Sequence, residues 1–131
     1  MFVYGTLLTA GNEFSDLLKA GSRYCGEGKI RGRLYDIGEY PGAVDDQSSS
    51  DYIYGSIYEL ADPEKTIPVL DDYEGFDPAD PRTSEFIRNA VFIESGGIKV
   101  LCWVYLYNFS TEKYPRIEGG KYPAKKNPPG Q

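Results

Sequence analysis

Phe2-Val3-Tyr4-Gly5-Thr6-Leu7 opens the chain as a short apolar strand that breaks into a tight turn at Gly5 and Thr6. A glycine at a strand end lets the backbone approach a ligand closely and take angles that other residues avoid. Successive N–H groups in such a turn form a small anion-binding nest. A candidate general base lies far along the chain, in Leu70-Asp71-Asp72-Tyr73-Glu74-Gly75. The expected fold brings Glu74 to the mouth of that first turn.

Strand and helix signals alternate outward from these two stretches. Phe14, Leu17 and Leu18 recur at helical spacing, which predicts a helix over about residues 12–20 with Gly21 as its C-terminal cap. A strand follows around residues 22–25. Residues 29–37 alternate, with Ile30, Gly32 and Leu34 on one side and Arg31, Arg33 and Tyr35 on the other. Gly32 inside that run predicts a bulge or a close approach, as in a curved sheet. Residues 38–44, around Tyr40-Pro41-Gly42, read as a turn, and residues 45–51 as an exposed polar loop. Residues 52–60 carry the strongest strand signal of the chain. Asp62-Pro63 predicts a helix start, and Pro68 predicts a kink or break before the helix ends near Glu74-Gly75. Residues 76–84 read as an irregular loop. Strands at 85–93 and 99–107 flank a Gly96-Gly97 hairpin turn. The order is that of one mixed α+β domain on a curved sheet, of the kind that closes into a small barrel.

Composition narrows the chemistry. With 131 residues the chain can bury a core without disulfides or metals. Its net charge of −6 disfavours nucleic acid and anionic membrane as partners. No apolar run is long enough to cross a bilayer, and no secretory signal precedes the first strand, so a cytoplasmic protein is expected. Cys25 and Cys102 are then expected to be reduced, with Cys102 an inert core residue. The chain has no histidine, which removes Ser-His and Cys-His dyads and every His-containing metal site. Acid–base chemistry must run on Glu, Asp, Tyr, Lys or Cys.

Two readings of the acidic hexamer stay open. Leu70 and Tyr73 have the i, i+3 spacing of a buried face, so Glu74 lies beside that face, where burial would raise its pKa toward a general base's range. The alternative is a capped helix end whose acids are solvated. The Tyr4–Leu7 turn is neither a Walker loop nor a dinucleotide fingerprint. Arg33 reads as an exposed cross-strand ion pair. Arg88 has that reading and a second one, capture of a substrate carboxylate by its guanidinium fork.

Together these residues resemble the gamma-glutamylcyclotransferase-like family, in particular its gamma-glutamylamine cyclotransferase and avirulence-induced-protein-like branches, as a bacterial-type member. The resemblance covers residues 2–108. It is carried by Val3-Tyr4-Gly5-Thr6-Leu7, Gly32-Arg33-Leu34-Tyr35 with Tyr40-Pro41, Tyr54-Gly55-Ser56-Ile57-Tyr58, Leu70-Asp71-Asp72-Tyr73-Glu74, Phe86-Ile87-Arg88 and Trp103-Val104-Tyr105. Residues 117–122 are similar to a late segment of bacterial members. The resemblance implies a small mixed β-barrel of about six strands, with peripheral helices and a cavity at one end. Residues 1–108 would form that domain, and residues 109–131 a tail that packs on it or is partly disordered.

The resemblance also implies a reaction. The α-amine of a γ-glutamyl compound attacks its own γ-carbonyl, giving 5-oxoproline and a free amine or amino acid, with no metal or organic cofactor. Glu74 matches the catalytic base. Tyr4, Gly5, Thr6 and Leu7 match the substrate grip, with Tyr40, Arg88 and Tyr105 as further substrate contacts. The implied partner is the small-molecule substrate, and the protein a monomer or homodimer. Two departures stand out: Phe86 occupies a position where tyrosine is usual, and Pro68 interrupts the helix that carries Glu74. The rival readings are an enzyme of this fold acting on a different γ-glutamyl or amide substrate, a non-catalytic small-ligand binder, and an interaction module presenting residues 71–80.

Overall fold

A curled, half-barrel sheet organises the computed structural model, which describes residues 1–4, 13–38 and 40–121. Its six strands are β1 (Phe2–Val3), β2 (Ser22–Asp36), β3 (Pro41–Asp45), β4 (Tyr52–Leu60), β5 (Phe86–Ser95) and β6 (Ile98–Tyr107). The strand order is β1-β4-β2-β5-β6, with β3 paired to β2, and every pairing among the described residues is antiparallel. Helices α1 (Glu13–Gly21) and α2 (Pro63–Glu74) are peripheral to it. The small six-stranded α+β architecture is thus the one expected.

Several element boundaries differ from the sequence reading. The two strands expected at 22–25 and 29–37 are one, β2, which stays paired with β4 across a bulge between Tyr24 and Gly26. Gly21 belongs to α1 rather than capping it, and the helix runs straight into β2. The segment around Tyr40-Pro41-Gly42 is mostly strand. Ahead of that strand, Ile37 N–H donates to the Tyr40 carbonyl at 3.0 Å. Pro41 can start β3 because the first residue of a strand tolerates a missing donor. α2 is a single helix with no break at Pro68. That residue is exposed, so its ring meets solvent and the loss is confined to one backbone bond. The Gly96-Gly97 hairpin forms as expected, between Ser95 and Ile98.

Apolar alternation on β2, β4 and β6 fills the curl with Ile30, Leu34, Ile53 and Val104, all but fully buried. Cys102 is also buried, Cys25 is exposed, and both are free thiols. A second cluster lies toward the helices, where Leu18 of α1 and Leu70 of α2 pack with Val3, Phe86, Tyr105 and Tyr107. Among the described residues no helix is long and apolar enough to cross a membrane.

Beyond β6 the chain stays on the sheet as far as residue 121. Asp36 N–H donates to the Pro115 carbonyl at 2.9 Å, Ile117 N–H donates to the Leu34 carbonyl at 2.7 Å, and the Ile117 side chain is buried. A tail held mainly by backbone bonds and one apolar anchor shows no periodicity to read. Gly120 fixes its far end at φ 67°, where an added Cβ would sit 1.7 Å from the Tyr52 carbonyl oxygen. Gly120→Ala is therefore expected to destabilise the protein by more than about 1 kcal/mol. The measurement is a lowered urea midpoint; an unchanged midpoint would show that this segment contributes nothing. Residues 122–131 lie outside the described residues.

Candidate active site

Four chain segments converge at one end of the sheet: the end of β1, the last turn of α2, the start of β5 and the end of β6. The register Phe86↔Tyr107 and Arg88↔Tyr105 sets β5 against β6 there. Leu70, at 0 % exposure, pins α2 across them. The buried face of α2 is not the expected Leu70–Tyr73 pair, because Tyr73 is 50 % exposed. It is Thr66, Leu70 and Asp71, with Glu74 partly buried on the same side. The spacing i, i+4 from Leu70 to Glu74 puts the glutamate on that face rather than beside it.

Asp71 is the most connected polar residue of this region. Its carboxylate accepts from Arg88 Nε at 2.8 Å, from Arg88 Nη2 at 3.1 Å and from the Tyr105 hydroxyl at 2.7 Å. The Arg88 guanidinium also lies 4.3 Å from the Trp103 ring centre and 5.7 Å from that of Phe76. Tyr4 O–H donates to the backbone carbonyl of Tyr105. A continuous set of hydrogen bonds therefore runs from the end of β1 to the last turn of α2.

Glu74 follows one turn later, as the final residue of α2. Burial of its carboxyl raises the pKa from 4.5 to about 7, with the negative charge of Glu85 as the second cause. A carboxylate at a helix C-terminus also faces the negative end of the helix dipole, which acts in the same direction. Burial raises the Tyr4 and Tyr105 hydroxyls above their ordinary range, and the nearby charge of Glu74 adds to both shifts. Both tyrosines therefore stay protonated at neutral pH. Tyr40 O–H donates to Glu85, which raises the Tyr40 hydroxyl, and its ring packs 5.8 Å from that of Phe86. The arrangement can hold a proton on a carboxyl near neutrality beside two neutral hydroxyls.

A sequence model of the family described as gamma-glutamyl cyclotransferase, AIG2-like, matches residues 1–124. The chain belongs to this family. Of the solved structures in this fold, YkqA from Bacillus subtilis is 28 % identical with a TM-score of 0.66, the match covering 92 % of this chain and 38 % of YkqA. This chain thus spans about two fifths of the length of that relative. YtfP from Escherichia coli is 26 % identical with a TM-score of 0.66, and the match covers 93 % of this chain and 94 % of YtfP. PH0828 from Pyrococcus horikoshii, at 21 % identity and a TM-score of 0.58, shares the fold. No curated protein matches the chain.

Among the residues read from sequence as site residues of this family, Glu74, Tyr4 and Tyr105 lie together, and Tyr40 joins them through Glu85. Gly5, Thr6 and Leu7 lie outside the described residues. Arg88 and Tyr105 are both bonded within the protein. The fork of Arg88 and the Tyr105 proton are both taken by Asp71, because a buried carboxylate within reach claims the strongest donors. Arg33 pairs with Asp46 away from this end and donates from Nε to the Tyr35 hydroxyl at 3.0 Å. The sequence reading assigns neither Asp71 nor Glu85 a place in this site. Asp71 carried a usable signal, since it follows a core leucine on a predicted helix while Arg88 on a predicted strand needs a counter-ion. Among the described residues, no group of three or more Cys, Asp or Glu side chains is set to hold a metal ion.

Proposed function

We propose that the chain is a γ-glutamyl cyclotransferase with Glu74 as its general acid/base. One observation carries the reading: the desolvated carboxyl of Glu74, at the convergence of β1, α2, β5 and β6. Family membership supports the reaction class. The substrate's α-nitrogen would attack its own γ-carbonyl carbon, forming the C–N bond of the five-membered lactam while the γ-amide C–N bond breaks. Glu74 takes the proton from the α-ammonium and delivers it to the departing nitrogen. A pKa of about 7 suits both transfers, because each form is then populated at neutral pH.

Attack within one molecule draws much of its rate from folding the glutamyl chain into a near-attack geometry. That work is assigned to Tyr4, Gly5, Thr6 and Leu7, whose backbone N–H groups would bind the α-carboxylate or the developing oxyanion. The interaction-module reading has no use for a desolvated carboxyl. The same proposal places the enzyme in the cytoplasm, acting on a small γ-glutamyl compound without a metal or organic cofactor.

The test is 5-oxoproline release from a panel of γ-glutamyl dipeptides and γ-glutamylamines, each run beside its N-acetylated form. Release from free-amine substrates alone is expected, with kcat/KM rising to a plateau as pH passes through about 7. No release from any substrate at any pH would overturn the proposal.

A further inference from the structure

We infer that Asp71 and Arg88 are positioning residues that lock the last turn of α2, and with it Glu74, against the β5–β6 hairpin and the end of β1. The inference rests on the proposed role of Glu74, but its geometry stands without it. Arg88 grips the chain on both sides of Glu74: its fork holds the Asp71 carboxylate three residues before, and its guanidinium lies against the Phe76 ring two residues after. The backbone repeats the tie, since Phe76 N–H donates to the Asp71 carbonyl at 2.8 Å across Gly75 in a left-handed cap. Tyr105 extends the lock to the other half of the site. Its hydroxyl holds Asp71, and its carbonyl holds the hydroxyl of Tyr4, just past the end of β1.

A purely structural origin explains this arrangement less well. The Asp71 side chain is 8 % exposed and that of Arg88 16 %, so both charges give up most of their hydration. Apolar residues of similar volume would hold α2 to the hairpin as firmly or more so. What a bidentate pair adds is direction: a fork and a carboxylate meet in one plane, whereas packed hydrocarbons slide. The direction it fixes is that of the helix turn ending at Glu74. The expected working effect is a set separation between Glu74 and Tyr4 at the end of β1.

Arg88→Lys separates positioning from charge and from stability, because lysine keeps the cation but loses the fork. The readouts are the NMR titration midpoint of the Glu74 carboxyl and the split between kcat and KM for 5-oxoproline release. In the folded variant the midpoint is expected to fall by about one pH unit or more, toward the exposed range, as the carboxyl gains freedom to reach water. kcat should fall about 10- to 100-fold with KM nearly unchanged, as small displacements of a catalytic group cost. A folded variant with the wild-type midpoint and wild-type kcat would overturn the inference. If Arg88→Lys does not fold, Tyr105→Phe decides by the same midpoint, since it removes one bond to Asp71 and no charge. If wild type releases no 5-oxoproline, the functional proposal fails, while the titration arm still decides the positioning inference.

Discussion

Glu74→Gln is expected to lower 5-oxoproline release by about 10²- to 10⁴-fold, the range typical for loss of a general acid/base. The same substitution is expected to stabilise the protein in alkaline but not in acidic solution. The folded-state pKa of Glu74 lies above its unfolded value, so the folded protein binds a proton that the unfolded chain releases between pH 4.5 and about 7. The stability tied to that proton is full below pH 4.5 and is lost as pH rises through about 7. Glutamine cannot ionise and escapes the loss. The shift corresponds to roughly 3 kcal/mol at most, and partial exposure of the residue reduces the expected gain to about 1–2 kcal/mol at pH 8. Thermal unfolding at pH 8 should show a rise of about 5 °C for the variant, shrinking toward zero near pH 4.5. A variant that is inactive and less stable at every pH would mean that Glu74 is a structural carboxyl. A gain in stability on losing activity is the signature of a group held in an unfavourable state for function.

Leu70→Ala should produce the largest loss of stability, about 2–5 kcal/mol, because it opens a cavity at a fully buried position. Against a typical total of about 5–15 kcal/mol, this is a large fraction. Leu70 joins Val3 and Leu18 to Phe86, Tyr105 and Tyr107, so its loss loosens α2 from all the strands that build the site. Chemical denaturation would show a much lower midpoint, and hydrogen exchange would rise first in the α2 amides. A shift below about 1 kcal/mol would mean that the ionic contacts of Asp71, rather than this apolar anchor, hold the helix.

The parts of the fold that sequence made legible are those with strong local patterns. β4, the β5–β6 hairpin and the start of α2 each rest on alternation, on Gly96-Gly97 or on Asp62-Pro63, and each lies close to where these signals put it. β3 was hidden because Tyr40-Pro41-Gly42 carries turn chemistry in its residues while its backbone pairs with β2. The break expected at Pro68 fails because a proline facing solvent removes one bond from a helix that Leu70 holds by packing. Of the candidate site, Glu74, Tyr4 and Tyr105 are legible in sequence as residues that the fold brings near one another. The partner of Arg88 was not, since the ion pair to Asp71 joins a helix to a strand and no local pattern shows which acid a distant cation will meet. The protonation behaviour of Glu74 likewise depends on Glu85 and on burial, which appear only once the strands are folded together.

The desolvated carboxyl is the claim on which the rest depends, and its titration tests it directly. A carbon-detected NMR titration of the Glu74 side chain from pH 3 to 9, assigned with Glu74→Gln, is expected to show a midpoint near 7. A midpoint near 4.3, the value of an exposed glutamate, would contradict it and remove Glu74 as the base.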